Sequence, residues 1–282
     1  MTSPIQIRKC TTLDDFHRCV ELQQRIWGES DLETEPYVTF VVANQTGGQV
    51  LGAFDGDQMI GFTMALAGIR NKTPYLHSHM TGVLAECRDR KVGRSLKLFQ
   101  RQEALSRDIR LIEWTFDPLE TRNAHFNLNR LGAIVRTYIP NFYGITSSPL
   151  HRGLPTDRLL AEWCLDSPRV VAAINDVAPE PPDTSAVIHV PAAPGTPISG
   201  SALPPASFLA PAARAQERSD APGAGIPSAS LISADSLTTF TSSLQARIRS
   251  EFQLWFSKNY AATSVRFTPT GADYLLHPWS DF

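Results

Sequence analysis

The segment from Tyr75 to Gly144 limits what this chain can fold into more than any other part of the sequence. Its centre reads as a strand, a basic turn, an amphipathic helix, a second strand and a short helix. The first helix is predicted from about Val92 to Ser106, where apolar residues recur at helical spacing. Unpaired backbone N–H groups at the start of such a helix attract anions. The segment therefore predicts an anion site where the strand gives way to the helix.

The turn before this helix is strongly basic. Its cations are Arg88, Arg90, Lys91 and Arg94. The whole chain has a formal net charge of −2, so the positive charge of the turn is local. A charged turn that only faces water is the simpler interpretation. The strand before it and the helix after it favour a phosphate site instead.

The turn from Arg88 to Gly93 resembles the acyl-CoA pyrophosphate loop of the GCN5-related N-acetyltransferase (GNAT) superfamily, Q/R-x-x-G-x-G/A. The match holds at its two ends, and Lys91 lies where the family usually has its first glycine. The resemblance implies that the turn, its cations and the end of the preceding strand bind acyl-CoA as a co-substrate. The residues implied are Gly82, Val83, Leu84, Arg88, Arg90, Lys91, Val92, Gly93, Arg94 and Ser95.

The sequence after the turn strengthens the resemblance. Residues 110–117 read as a strand, and the helix that follows contains Asn123 and stops at Gly132. GNAT proteins use an asparagine early in this helix to bind the pantetheine arm, which implies that role for Asn123. Many relatives carry a tyrosine acid four residues before the glycine, where this chain has Leu128. Strings such as WTFDPLE and PNFYG resemble a largely uncharacterised predicted-acetyltransferase branch of the superfamily.

These observations predict an α/β (α+β) fold with a GNAT-like mixed, mostly antiparallel twisted sheet flanked by helices. We predict an acyl-CoA-binding domain over residues 1–177, and a Pro/Ala/Ser-rich insertion or linker over 178–233 with a short strand at 186–190. Residues 234–282 read as an amphipathic helix followed by a short strand pair. We expect this C-terminal piece to pack back onto the main domain. A partner-binding or dimerising helix is the alternative.

Composition argues against several other classes of protein. The small net charge and a pI near 6.4 disfavour a nucleic-acid or membrane-surface binder, which needs a broad basic face. The cysteines show no C-x-x-C spacing, so we predict neither a metal site nor a disulfide framework. The first residues lack the apolar stretch typical of a signal peptide, and no run of about 18 apolar residues appears, so we expect a cytoplasmic protein. Whether it forms a homodimer stays open.

The sequence offers several candidates for the catalytic groups. Strict alternation on the central strand puts His77, His79, Thr81 and Val83 on one face. His79 and Glu113 are the predicted proton acceptors, and Tyr138 or Tyr143 is the predicted replacement for the absent tyrosine acid. A structural role is the alternative for each of them.

A polar loop from His151 to Arg158 offers an arginine for a substrate carboxylate. A structural salt bridge between Asp157 and an arginine is the alternative for this loop. The leading function is an acyl-CoA-dependent N-acyltransferase that acts directly on the amine of a small molecule. A non-catalytic GNAT-fold sensor or scaffold that binds CoA is the alternative, which the departures at Lys91 and Leu128 keep open.

Overall fold

A computed structural model describes residues 4–28, 34–145, 154–177, 186–192 and 234–279 of the chain. The described strands are β1 (Gln6–Lys9), β2 (Gln49–Asp55), β3 (Gln58–Arg70), β4 (Thr73–Val83), β5 (Leu111–Phe116), β6 (Ile134–Ile139), β7 (Arg158–Cys164), β8 (Ala186–Pro191), β9 (Tyr260–Thr268) and β10 (Gly271–Pro278). The described helices are α1 (Leu13–Trp27), α2 (Tyr37–Gln45), α3 (Val92–Leu105), α4 (Thr121–His125), α5 (Pro168–Ile174) and α6 (Ala234–Phe256). None of the helices within these ranges has both the length and the apolar character needed to cross a membrane.

All ten described strands belong to one sheet, in the order β1-β2-β3-β4-β5-β7-β6-β9-β10-β8. Neighbouring strands run antiparallel except β4 and β5, which are parallel. The predicted mixed, mostly antiparallel sheet flanked by helices is therefore confirmed. The parallel pair needs a crossover connection, and α3 supplies it.

Helices α1 and α3 cover opposite faces of β4. A side chain at Gly82 would approach Ile26 and Trp27 of α1 to within 2.8 and 3.0 Å. The next residue, Val83, points the other way, since its side chain and that of Val92 on α3 both lie beside Gly61. A ligand held between β4 and its neighbour would thus have α1 on one side and α3 on the other.

The C-terminal part of the chain extends the same sheet. Strand β9 pairs with β6 through Val135 and Ala262, and β10 pairs with both β9 and β8. Helix α6 packs on these strands with Ile248 and Phe252 fully buried. The predicted return of the C-terminal piece is confirmed, and so is the short strand β8 within the Pro/Ala-rich segment. The rest of that segment, residues 178–185 and 193–233, lies outside the described residues.

A buried carboxylate ties α6 to the main domain. Asp157 is fully buried and accepts hydrogen bonds from Nε and Nη2 of Arg249 at 2.8 and 2.9 Å. It also accepts from the Tyr138 hydroxyl at 2.6 Å and from the Asn141 amide at 2.9 Å. Of the two interpretations of Asp157, the structural salt bridge is the one that the fold contains.

Candidate functional site

The parallel strands β4 and β5 meet at one end and separate toward the other. Their paired residues are Leu76 with Ile112 and His77 with Glu113. Past these pairs, over Ser78–Val83 of β4 and within β5, no pairing joins the two strands among the described residues. The facing edges of a wedge-shaped cleft therefore carry backbone N–H and C=O groups without ladder partners. We call it the β4–β5 cleft, and it is lined by Ser78, His79, Met80, Thr81, Lys97, Trp114, Thr115, Asn123 and Asn127.

A β-bulge at His79 interrupts β4 at the cleft. Met80 pairs with Met64 and Ser78 pairs with Ala65, so His79 is the extra residue. Ser78 and Val83 both face α3, although five residues of strict alternation would put them on opposite faces. The expected shared face of His77, His79, Thr81 and Val83 is therefore wrong beyond the bulge. Strict alternation fails because it assumes a ladder without an extra residue.

The basic turn lies at the end of β4 and the start of α3. A 3-10 turn over Ala85–Arg90 leads to Lys91, and α3 begins at Val92. The first helical hydrogen bond runs from the Ser95 amide to the Lys91 carbonyl at 3.0 Å. The amides of Val92, Gly93 and Arg94 therefore have no acceptor within the helix. The start of α3 therefore presents these three N–H donors where the sequence predicted an anion site. The Ser95 amide, which was predicted to belong to that site, is not available because it bonds Lys91.

The four cations of the turn differ in what they bind. Arg90 binds Asp55 at 2.6 Å, and Arg94 donates to the Ile174 carbonyl at 2.7 Å. Within the described ranges no carboxylate pairs with Arg88 or Lys91, and the buried Arg88 Nε has no hydrogen-bond acceptor there. Arg88 and Lys91 are thus the turn's available cations.

Lys91 adopts a left-handed backbone conformation with φ of 58°. This region costs a residue with a side chain roughly 1–2 kcal/mol, and glycine adopts it freely. We expect Lys91→Gly to raise the free energy of unfolding by about 0.5–1 kcal/mol in urea denaturation, because glycine's greater freedom in the unfolded chain offsets part of the relief. Lys72 has φ of 65° in a distant turn and is the matched control. Both glycine variants should be stabilised by a similar amount.

Three further residues that the resemblance implied for CoA binding lie where β4 contacts its neighbours. Gly82 makes room for α1, as described above, and Val83 packs beside Val92. The Leu84 amide donates to the Ile60 carbonyl at 3.0 Å, so it is not available to a ligand. Only backbone groups of Gly82 and Val83 on the edge toward β5 remain candidates for ligand contact.

Two asparagines project into the β4–β5 cleft from the other side. Asn123 lies in α4, and Asn127 lies four residues later in a π-helical turn over Phe126–Arg130. Asn127 is 1% exposed, and its Nδ2 has no hydrogen-bond acceptor among the described residues. An unpaired buried donor in a cleft indicates a missing polar partner. Asn127 escaped the sequence analysis, although its spacing of four residues from Asn123 places both on one helix face.

Glu113 and Tyr138 do not line the β4–β5 cleft. Arg70 binds both carboxylate oxygens of Glu113, at 2.6 and 2.8 Å, so this buried group is occupied in an ion pair. The Tyr138 hydroxyl donates to Asp157, and burial together with this bond raises the pKa of Tyr138. The structure therefore keeps both residues from the proton-transfer roles that the sequence suggested.

His79 lies in the cleft, and its Nε2 is 3.4 Å from Oε1 of Glu35. Burial, with contributions from the neighbouring His79, Lys97 and Arg70, lowers the pKa of His77 to about 4, so His77 is neutral near pH 7. Tyr143 bonds the cleft residue Thr115 at 3.0 Å between the two hydroxyl oxygens. Of the two predicted tyrosines, Tyr143 is the one that reaches the cleft. His151 and Arg152 lie outside the described residues.

Lys97 is a cleft residue that the sequence analysis missed. Its Nζ donates to Ser78 Oγ at 2.7 Å and to Gln100 Oε1 at 3.1 Å, and it lies 4.3 Å from the centre of the Trp114 ring. Burial lowers the pKa of Lys97 to about 7. In the sequence it is one polar residue beside the apolar stripe of α3, which gives no sign that it points inward.

Neither the protein-family models nor the curated proteins provide a match to this sequence. Among solved structures, the chain is similar to the ribosomal-protein-S18-alanine N-acetyltransferase from Escherichia coli, with 14% identity, a TM-score of 0.46, and 58% of this chain and 96% of that one covered. The NatC complex bound to Gag peptide and CoA gives 13% identity and a TM-score of 0.45, with 57% of this chain and 99% of that one covered. An aminoglycoside acetyltransferase from an uncultured soil metagenomic sample, in complex with sisomicin, gives 12% identity and a TM-score of 0.38 over 41% of this chain and 80% of that one.

Proposed function

We propose that the protein is an acyl-CoA-dependent N-acyltransferase of the GNAT superfamily. It moves an acyl group, acetyl or similar, from the CoA thioester directly to the amine of a small molecule. The observation that carries the proposal is the β4–β5 cleft, which runs from a basic helix start to a set of polar side chains.

The strand edges suit the pantetheine arm of CoA. This arm is extended and carries two amide groups, each with a donor and an acceptor. The unpaired edges of β4 and β5 offer complementary backbone groups, as a sheet edge does to an added strand. Asn123 and Asn127 add side-chain amides on the α4 side of the cleft. The arm would thus lie between the strands without breaking existing ladder bonds.

The helix start suits the diphosphate. The amides of Val92, Gly93 and Arg94 point away from the helix body, and the helix dipole favours negative charge there. Arg88 and Lys91 are free of carboxylate partners within the described residues, so their charges remain available to phosphate oxygens. Arg90 and Arg94 contribute mainly to the local potential, because Asp55 and the Ile174 carbonyl already hold them.

Transfer forms a bond between the acceptor nitrogen and the acyl carbon and breaks the bond between that carbon and sulfur. The nitrogen loses a proton, and the leaving thiolate gains one. His79 is the proposed proton acceptor, since it lines the cleft and an imidazole nitrogen can accept a proton. Glu35, 3.4 Å away, orients the ring. Tyr143 and Thr115 lie nearby as hydrogen-bonding groups for the acceptor.

Thiol release from acetyl-CoA and succinyl-CoA, measured against a panel of small amines, tests this function. Turnover of one donor with one amine supports the transferase. A rise of the unfolding temperature with CoA, but no turnover of either donor with any amine of the panel, supports the sensor or scaffold instead. Absence of any CoA binding contradicts both.

We expect Asn123→Ala and Asn127→Ala each to weaken CoA binding about two- to tenfold, the effect of losing one hydrogen bond. Calorimetric titration with CoA measures the change. The unfolding temperature of each ligand-free variant is the control, because neither side chain makes a hydrogen bond to another described residue that holds the fold together. Unchanged affinity in both variants would show that the pantetheine arm does not follow this side of the cleft.

A further inference from the structure

Lys97 is a buried amine without an acidic partner. Its side chain is 3% exposed, and within the part of the chain that the structure describes no carboxylate lies within ion-pair distance of its Nζ. Lysines are rarely buried in this way, because an ammonium loses its hydration with no countercharge to compensate. Burial lowers the pKa of Lys97 from 10.5 to about 7. Near neutral pH this amine can both give and take a proton.

The amine is held firmly at the cleft. Ser78 Oγ, Gln100 Oε1 and the face of Trp114 surround it on three sides. The unpaired Nδ2 of Asn127 lines the same cleft and independently indicates a polar ligand. Lys97 contacts β4 through Ser78, on the face that α3 covers. His79 directly follows Ser78 but lies on the opposite face of β4, where it turns toward Glu35.

We propose that Lys97 donates the proton that the leaving thiolate of CoA takes up, and that Ser78 and Gln100 position its amine for this step. The inference rests on the proposed function. As the carbon–sulfur bond breaks, its electron pair stays on sulfur. One N–H proton of the Lys97 ammonium then forms the S–H bond, leaving a neutral amine that water reprotonates. Lys97 and His79 thereby act from opposite faces of the sheet, one on the leaving group and one on the acceptor.

The other charged and titratable groups described near Lys97 are neutral, already paired or on the opposite face, so they do not compete with Lys97 for this role. On β4, His77 is neutral near pH 7, as its pKa of about 4 shows, and His79 faces the opposite side. On β5, Glu113 is bound to Arg70. Further along α3, Glu103 is bound to Lys9. On the opposite side, Asn123 of α4 and Asn127 of the π-helical turn line the cleft with amides.

Binding of CoA sulfonate, in which a permanently charged sulfonate replaces the thiol, tests the assignment without an acceptor amine. At pH 6, below its pKa of about 7, Lys97 is cationic and should make CoA sulfonate bind about tenfold or more tightly than desulfo-CoA. This preference should shrink toward pH 9, where Lys97 is neutral, and Lys97→Met should abolish it while desulfo-CoA still binds. Lys258→Met is the matched control, since Lys258 also lies over a tryptophan, Trp255 at 4.9 Å, but is exposed and outside the cleft. It should leave the preference unchanged.

The stability of Lys97→Met separates a functional role from a structural one. The pKa of about 7 in the folded state lies below the ordinary 10.5, so the unfolded chain binds more protons between these values. The stability of the wild type therefore rises with pH across this window. Lys97→Met should be the more stable protein, with its advantage greatest at pH 7 and below and declining toward pH 10.5. A purely structural lysine would make the methionine variant less stable at pH 7.

The possible failures are distinguishable. If CoA does not bind to the wild type, the proposed function falls. If CoA binds and the preference for CoA sulfonate over desulfo-CoA is the same in wild type and Lys97→Met, the proton-donor assignment is overturned and the proposed function stands. Lys97→Gln, which keeps a donor for Ser78, repeats the comparison should the methionine variant not fold. With an acceptor in hand, kcat of either variant should fall by about a hundredfold or more.

Discussion

Arg88→Glu is expected to weaken CoA binding by about one to two orders of magnitude. The substitution removes a charge-assisted hydrogen bond, a loss of about 1.5–3 kcal/mol, and sets a carboxylate against the diphosphate. Arg88 is the sensitive position because, within the described residues, its buried Nε has no acceptor. Arg90 in the same turn is already held by Asp55. Calorimetric titration at low and high salt measures the effect, which should shrink as salt screens the repulsion.

Arg110→Glu is the charge-matched control for this experiment. Arg110 is exposed, pairs with Asp166 and lies beyond the C-terminal end of α3, at the far end of the helix from the basic turn. The net charge changes equally in the two variants, so a general electrostatic effect would weaken CoA binding in both. Wild-type affinity in Arg88→Glu would mean that the diphosphate lies elsewhere, even if the β4–β5 cleft still binds a ligand.

Asp157→Ala should lower the free energy of unfolding by about 3–5 kcal/mol, the cost of leaving a partly buried cation without its partner. Arg249 and the Tyr138 hydroxyl would both lose their acceptor, and α6 would lose its main polar link to the sheet. Urea denaturation measures the change. Hydrogen exchange of the α6 amides should accelerate more than that of α1, since the defect is local to the C-terminal part.

Two further variants make this prediction specific. Tyr138→Phe removes one hydrogen bond of the same carboxylate and should cost about 1 kcal/mol, with no effect on CoA binding. Asp157→Leu combined with Arg249→Met removes both charges and should recover much of the loss, because an apolar pair no longer needs a countercharge. A loss in Asp157→Ala no larger than that in Tyr138→Phe would contradict a tightly held buried pair.

Sequence patterns were sufficient where neighbouring residues decide the structure. The capping box of Thr12 and Asp15 and the left-handed Gly28 fix the two ends of α1, and both signals lie in adjacent residues of the sequence. The start of α3 followed from the basic turn in the same way. The apolar spacing of α6 predicted that this helix would pack, and Ile248 and Phe252 are its buried contacts.

The patterns failed where contacts between distant residues decide. Glu113 looked available for catalysis until Arg70, 43 residues earlier, occupied both of its oxygens. Tyr138, in β6, is linked to α6 through Asp157 and Arg249, which are 92 residues apart in the sequence. The bulge at His79 has no local signature, and the inward position of Lys97 depends on Ser78 and Trp114. Alternation and spacing describe one element, whereas these features arise between elements.

The pairing of β9 with β6 has a consequence for any shortened form of the protein. A chain that ended at residue 177, the boundary suggested by the change in composition, would leave β6 as an open outer strand. Apolar side chains around Val135 would then face water together with unsatisfied backbone groups, the combination that promotes strand-to-strand aggregation. Residues 234–279 thus cover a strand edge that would otherwise promote aggregation.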